Sequence, residues 1–178
     1  MTVDDFLAWA VKQPARYELE LGTIDAMSPE SLGYVRIKTM IQRALAVAIQ
    51  HANLCCKAVH DGVIVRVDGA TAYEPDALVY CGPHQPASTL VVDDAVIVVE
   101  VVLPHSEVGS RGGRLIAYLS LPSVHHYLIV NANRRVLVHH ARRGEKIATR
   151  ILHDGPLHLD PPGLDLTIED LFGESDAP

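Results

Sequence analysis

The order of apolar patterns along the chain predicts an α+β fold, with a long helix packed on a curved, mixed β-sheet flanked by helices. Three observations carry that prediction. Helical 3.6-residue spacing fills "SLGYVRIKTMIQRALAVAIQHAN"; short β-branched runs such as "DALVYCG" and "DAVIVVEVVLP" dominate the middle; and one shorter helical segment separates them from further strands, "HHYLIVNA" and "RVLVHHA". A length of 178 residues with 48% hydrophobic content suits one domain over 1–178, with a short tail at about 173–178.

Element by element, "VDDFLAWAVKQ" has apolar residues at helical spacing and stops at Pro14. "RYELELGTIDAMSP" alternates polar and apolar residues around Leu21-Gly22, the pattern of a hairpin. The long helix runs from about Ser31, its cap, to Asn53, with Val35, Ile37, Ile41, Leu45, Ala48 and Ile49 on its apolar stripe. "CCKAVHDGVIVRV" reads as strand broken by an Asp61-Gly62 turn, and "DALVYCG" follows as a strand. "SRGGRLIAYLSLPSV" is a shorter helix weakened by Gly112 and Gly113. Two strands, then "KIATRILHDG" as another, a Pro-rich turn "DPPG" and the short helix "TIEDLF" complete the chain.

A formal charge of −7 excludes a protein that coats nucleic acid by bulk electrostatics, although basic residues cluster at Arg111 and Arg114 and again between Arg134 and Arg143. No apolar run reaches the length of a membrane span, and the acidic N-terminus is unlike a signal peptide, so a cytoplasmic protein without membrane association is expected. Cys55, Cys56 and Cys81 offer no disulfide framework and no metal spacing, and are expected to be small buried residues. Ten histidines lack any metal-binding motif; in His125-His126 and His139-His140 the alternation along strands should turn one of each pair to solvent or an interface.

Glu100 is the anomaly. It interrupts the run "DAVIVVEVVLP", where an unpaired carboxylate would cost several kcal/mol. Asp76, placed by Pro75 at the start of the preceding strand, is its natural neighbour. If the strands pair, the two carboxylates converge and need a cation, and oxygen ligands of this kind suit Mg²⁺. The bland alternatives are an Asx-type turn for Asp76 and a buried ion pair of Glu100 with Arg114 or Arg111.

The ordered segments "FLAWA…RYELELGTIDAMSPES", "YEPDALVYCG", "VIVVEVVLPHSE", "GGRLIAYLSLPSVHHYLIV" and "LDPPGLDLTIEDLF" closely resemble, over nearly the whole chain, the restriction endonuclease family labelled Uma-two, of the PD-(D/E)XK nuclease superfamily. The resemblance implies a restriction-endonuclease-like fold, a divalent metal (Mg²⁺ or Mn²⁺) and hydrolysis of phosphodiesters in DNA. Position by position it makes Glu18 the N-terminal acid, Asp76 the aspartate of the Pro-Asp element and Glu100 the second acid. The superfamily lysine slot two residues on is Val102. In the family's helix pattern D-x-x-x-K-L-x-x-Y, Ser110 and Arg114 stand in place of the Asp and Lys, and Tyr118 matches. "LPHSE" and Tyr34, where a histidine is usual, are further departures.

On this reading Asp76, Glu100 and the Val101 carbonyl hold the metal, Glu18 supports it or a second one, and Arg114 stabilises charge on the phosphate. A catalytically inactive binding or assembly module of the same fold, with Arg114 and Glu100 as a structural pair, is the alternative. A homodimer is the expected assembly, formed through "HHYLIV", "RVLVHH" and "LIAYLSLPS" as edge and apolar face.

Overall fold

The structure, a computed structural model, describes residues 1–102 and 111–172. Ser110, the "LPHSE" segment and the tail at 173–178 lie outside the described residues.

Helix α1 (Val3–Ala10) is capped by Thr2, whose hydroxyl accepts from the Asp5 amide. Strands β1 (Tyr17–Glu20) and β2 (Thr23–Ala26) form the expected hairpin; Leu21 and Gly22 both take positive φ, 49° and 80°, as a two-residue primed turn requires. Helix α2 (Leu32–His51) begins at the Ser31 cap, as its sequence predicts. Its buried stripe is Lys38, Ile41, Leu45, Ala48 and Ile49, whereas Val35 is 41% exposed. The expected stripe was therefore set too far toward the first turn, because a lysine occupies one of its inward positions.

Strands β3 (Cys56–Val59), β4 (Val65–Arg66), β5 (Ala72–Tyr73), β6 (Ala77–Cys81) and β7 (Ala95–Val102) come next. Helix α3 (Arg111–Ser120), strands β8 (His126–Asn131), β9 (Val136–Arg143) and β10 (Lys146–Leu152), the hairpin β11 (Pro156–Leu159) and β12 (Leu164–Thr167), and helix α4 (Ile168–Phe172) follow. The "DPPG" segment is the turn of that last hairpin, whose two four-residue strands pair with each other apart from the main sheet.

The main sheet has the order β10-β9-β8-β7-β6-β3, mixed because only β7 and β8 run parallel. A smaller sheet, β2-β1-β5-β4, carries α1. Side chains alternate along β7: Ile97, Val99 and Val101 join the core beneath α2, α4 and the last hairpin, while Val98 joins the core with Tyr118 of α3. Glu100 has the parity of Val98, so it points toward α3. Arg142 holds the end of that helix, its guanidinium donating to the carbonyls of Leu119 (2.5 Å), Leu121 (3.0 Å) and Val124 (3.1 Å). Two strands expected to offer a dimer edge, β8 and β9, lie inside the sheet; its edges are β10 and β3.

Two further expectations are corrected. Cys56 and Cys81, paired residues of β3 and β6, are joined as a disulfide with Cα atoms 3.9 Å apart, and the free Cys55 is exposed rather than buried. Sequence spacing concealed the disulfide because strand register, not proximity along the chain, brings the two residues face to face.

His139 and His140 are both buried, so neither turns to solvent. His140 accepts from or donates to Thr149 (2.8 Å) and stacks on Tyr127, while His139 Nε2 lies 2.9 Å from His126 Nδ1. Arg150, which can only donate, approaches His139 Nδ1 at 3.2 Å. That fixes direction: His139 carries its proton on Nε2 and donates to His126, whose own proton then sits on Nε2, against the backbone of Asp160 and Pro161 but short of a well-formed hydrogen bond.

Candidate metal centre

Adjacent antiparallel strands β6 and β7 set the geometry. Their register, Ala77 opposite Val99, continues to put Asp76 level with Glu100 and Pro75 level with Val101. Proline has no amide hydrogen, so the ladder cannot continue there. Asp76 takes over: its Oδ2 accepts from the Val101 amide at 2.6 Å, which leaves the Val101 carbonyl outside the sheet ladder. The Tyr34 hydroxyl, projecting from α2, stands between the two, 2.7 Å from Asp76 Oδ2 and 3.1 Å from Val101 O.

Glu100 Oε1 accepts from Arg114 Nη1 (3.0 Å) and from the Tyr118 hydroxyl (3.1 Å), both on α3. Arg114 also forks onto Glu18 of β1: Nη1 donates to Oε1 at 3.1 Å and Nη2 pairs with Oε2. Glu18 Oε1 accepts the Glu74 amide as well, at 2.9 Å. The Arg114 guanidinium lies over the Tyr73 ring, 4.6 Å from its centroid. All four expected acid and base positions, Glu18, Asp76, Glu100 and Arg114, thus meet at one end of the sheet, and Glu18 engages Arg114 with both oxygens.

The sequence reading missed a second group on the other side of Asp76. The Lys38 ammonium, 1% exposed, is 2.5 Å from Glu30 Oε2, 2.5 Å from Asp61 Oδ1 and 3.7 Å from Asp76 Oδ1. Arg16 closes the cluster against Glu30 (2.6 Å), Glu74 (2.8 Å) and Asp61 (3.2 Å). The available signal was Lys38 itself, a lysine in register with Ile41 and Leu45 on the buried face of a helix. Glu30 and Asp61 sit in irregular segments between helices and strands and carry no comparable mark.

Six carboxylates, Glu18, Glu30, Asp61, Glu74, Asp76 and Glu100, therefore share the three cations Arg16, Lys38 and Arg114. Burial and the neighbouring negative charges both show in the titration. Burial pushes Asp76 up to about 6, against the Val101 amide and Tyr34 hydroxyl, which oppose it. Burial likewise raises Glu100 to about 7; the Arg114 charge opposes this, and the charges of Asp76 and Glu18 add to it. For Asp61, burial is outweighed by the hydrogen bonds and charges of Lys38 and Arg16, so its pKa falls below the ordinary carboxylate range. Asp76 and Glu100 are thus incompletely compensated, and with the Val101 carbonyl they form a set of hard oxygen donors suited to a divalent ion such as Mg²⁺ or Mn²⁺.

The described residues include no helix long and apolar enough to cross a membrane. The structure is similar to the crystal structure of a putative nuclease belonging to DUF820 from Anabaena variabilis, with a TM-score of 0.73 at 15% identity over 97% of each chain, a likeness of fold. An uncharacterized protein of Synechocystis, slr1290, is 25% identical over 133 residues, covering 74% of this chain and 69% of that protein. The family Uma2, described as "Putative restriction endonuclease", matches residues 3–169. With a match spanning nearly all its length, the chain belongs to the Uma2 family.

Proposed function

We propose that the chain is a metal-dependent endonuclease that hydrolyses phosphodiester bonds in DNA. The observation that carries this reading is the pair of Asp76, buried, and Glu100, half-buried, placed level on neighbouring strands beside the Val101 carbonyl, both carboxyls held above their ordinary pKa. Asp76, Glu100 and Val101 O are the groups that would hold Mg²⁺ or Mn²⁺. A bound ion there supplies positive charge to the phosphate oxygens and acidifies water within its reach.

The remaining roles belong to the protein. Arg114 is fixed by Glu18 and the Tyr73 ring, so its charge is preorganised beside Glu100 and can attract and stabilise a phosphate without reorganising. As an arginine it remains protonated and cannot accept a proton. With Arg114 unable to serve, proton removal from water falls to the Glu100 carboxylate or to a phosphate oxygen of the substrate. Glu18 orients Arg114. The Tyr34 hydroxyl must move when Asp76 and Val101 O turn to a metal ion. Cleavage of both strands of a duplex would bring in a second copy of the chain as a homodimer.

A second reading has a specific observation in its favour: Arg114 is already closed on Glu100 and Glu18, as in a structural ion pair of a binding or assembly module. Cleavage of a mixed DNA pool at varied Mg²⁺ and Mn²⁺, with Glu100→Gln as control, separates the two. The endonuclease reading expects metal-dependent cleavage that falls at least a hundredfold in the control, together with loss of metal binding. DNA left intact by a parent protein that binds no metal supports the module.

A further inference from the structure

Glu30, Asp61 and Asp76 present carboxylate oxygens within 4.8 Å of one another, close enough to hold a metal ion, yet a side chain of the protein already fills the space. Lys38 reaches it from the second turn of α2, its ammonium in contact with Glu30 and Asp61 and 3.7 Å from Asp76. A surface lysine would share such a place with water, but Lys38 is 1% exposed and its ammonium also lies over the Tyr34 ring, 5.0 Å from the centroid. Nothing about helix packing asks for a cation at this position of the stripe, where Ile41 and Leu45 follow. What asks for it is the carboxylate triad. Asp76 is shared, since its Oδ2 faces Val101 and Tyr34 while its Oδ1 faces Lys38.

We infer that Lys38 is a built-in cation occupying a second metal position, so that the centre takes a single divalent ion, on the Asp76–Glu100–Val101 side. Two divalent ions flanking one carboxylate would be the alternative arrangement for phosphodiester hydrolysis, and here the ammonium takes one of those places without needing to be recruited from solution. Lys38 acts through Asp76 and is a positioning residue: it holds Oδ1 and thereby turns Oδ2 toward Val101. The inference rests on the proposed function only for where the first ion binds.

Removing the ammonium should turn the triad into a metal site. In calorimetric titration with Mn²⁺, backed by the loss of the free-ion electron paramagnetic resonance signal, the parent is expected to bind one ion per chain and Lys38→Gln two. Lys38→Gln keeps an amide donor of similar reach, so it is the variant most able to fold. Its melting temperature should fall without metal and recover with millimolar Mn²⁺, and Lys38→Gln with Asp61→Asn should lose both the second ion and the recovery. One ion in both parent and Lys38→Gln, without metal-dependent recovery, overturns the role of Lys38 and leaves the metal centre standing. Two ions in the parent also overturn it. No ion in the parent but one in Lys38→Gln supports the role of Lys38 and overturns the metal reading of Asp76 and Glu100; no ion in either overturns both. A Lys38→Gln protein that stays unfolded even with Mn²⁺ counts against the inference, because the triad has then failed to accept the ion.

Discussion

The main sheet holds two buried polar groups of side chains, and they solve opposite problems. At the ends of β6 and β7, six carboxylates meet three cations, and burial, with the neighbouring negative charges adding to it, leaves Asp76 and Glu100 with raised pKa values. On β8, β9 and β10, the chain from Arg150 to His139 to His126 passes one proton donor to one acceptor in a fixed direction. Burial lowers His126 to about 4, and burial together with the neighbouring His126 lowers His139 to about 3, so both rings are neutral at pH 7. Burial alone, then, does not mark a reactive centre. What separates the two is whether the charge is balanced, and only the acidic group calls for something from outside.

The largest effect should come from breaking the acidic group at its fork. Arg114→Ala strands the buried Glu18 carboxylate and the half-buried Glu100, and losing one partner of a buried pair typically costs about 3–5 kcal/mol. Urea denaturation should show a loss of that order, partly reversed by Mn²⁺, which would supply charge near Glu100. Arg114→Lys should lose less, because it keeps a charge while giving up the forked geometry. An Arg114→Ala protein as stable as the parent would mean that the carboxylates are protonated and that the imbalance described above is absent.

The histidine chain predicts a pH effect of intermediate size. The folded pKa values of His126 and His139 lie below the unfolded value near 6.5, so their neutral forms contribute stability that is complete above about pH 6.5 and is lost as pH falls toward 4 and then 3. Replacing both with leucine removes donor and acceptor together, which should be nearly neutral at pH 7.5 and should flatten the acid limb of a stability profile. An acid limb that keeps its steepness would assign acid sensitivity elsewhere, with Asp61, whose pKa is lowered, the first group to test.

The smallest effect belongs to Tyr34. Tyr34→Phe deletes the hydroxyl shared by Asp76 and Val101 O and should cost about 1 kcal/mol without metal. It should also raise Mn²⁺ affinity severalfold, since that hydroxyl competes for the same two oxygens. Weaker Mn²⁺ binding by the phenylalanine variant would make the hydroxyl a ligand instead of a competitor.

Much of this was legible in the sequence for physical reasons. Glu100 stood out because a charge within a β-branched run demands compensation, and Pro75-Asp76 because proline ends a ladder; both elements fell where they were expected. Arg114 and Glu18 needed the family resemblance, since neither breaks a local pattern. Lys38 broke one, at an inward position of α2, and was passed over because long side chains so often reach solvent from such places. Glu30 and Asp61 could not be found from sequence, since acids in connecting segments are commonplace and only the fold brings these two together around Lys38. The strands β11 and β12 and the Cys56–Cys81 pairing were missed because each depends on register between segments.

That pairing bears on how the centre is assembled. The disulfide closes a ring with a sequence separation of 25, and Asp61, Glu74 and Asp76 all lie within it. Even in an unfolded chain, three of the six acids are then tethered to one small covalent loop, while Glu18, Glu30 and Glu100 arrive from outside. By chain entropy a ring of this size disfavours the unfolded state by roughly 3 kcal/mol, which can offset part of the repulsion among carboxylates brought together on folding. The cross-link sits at the edge of the sheet, away from the acids, and its contribution is topological: it shortens the list of conformations in which those charges could have stayed apart.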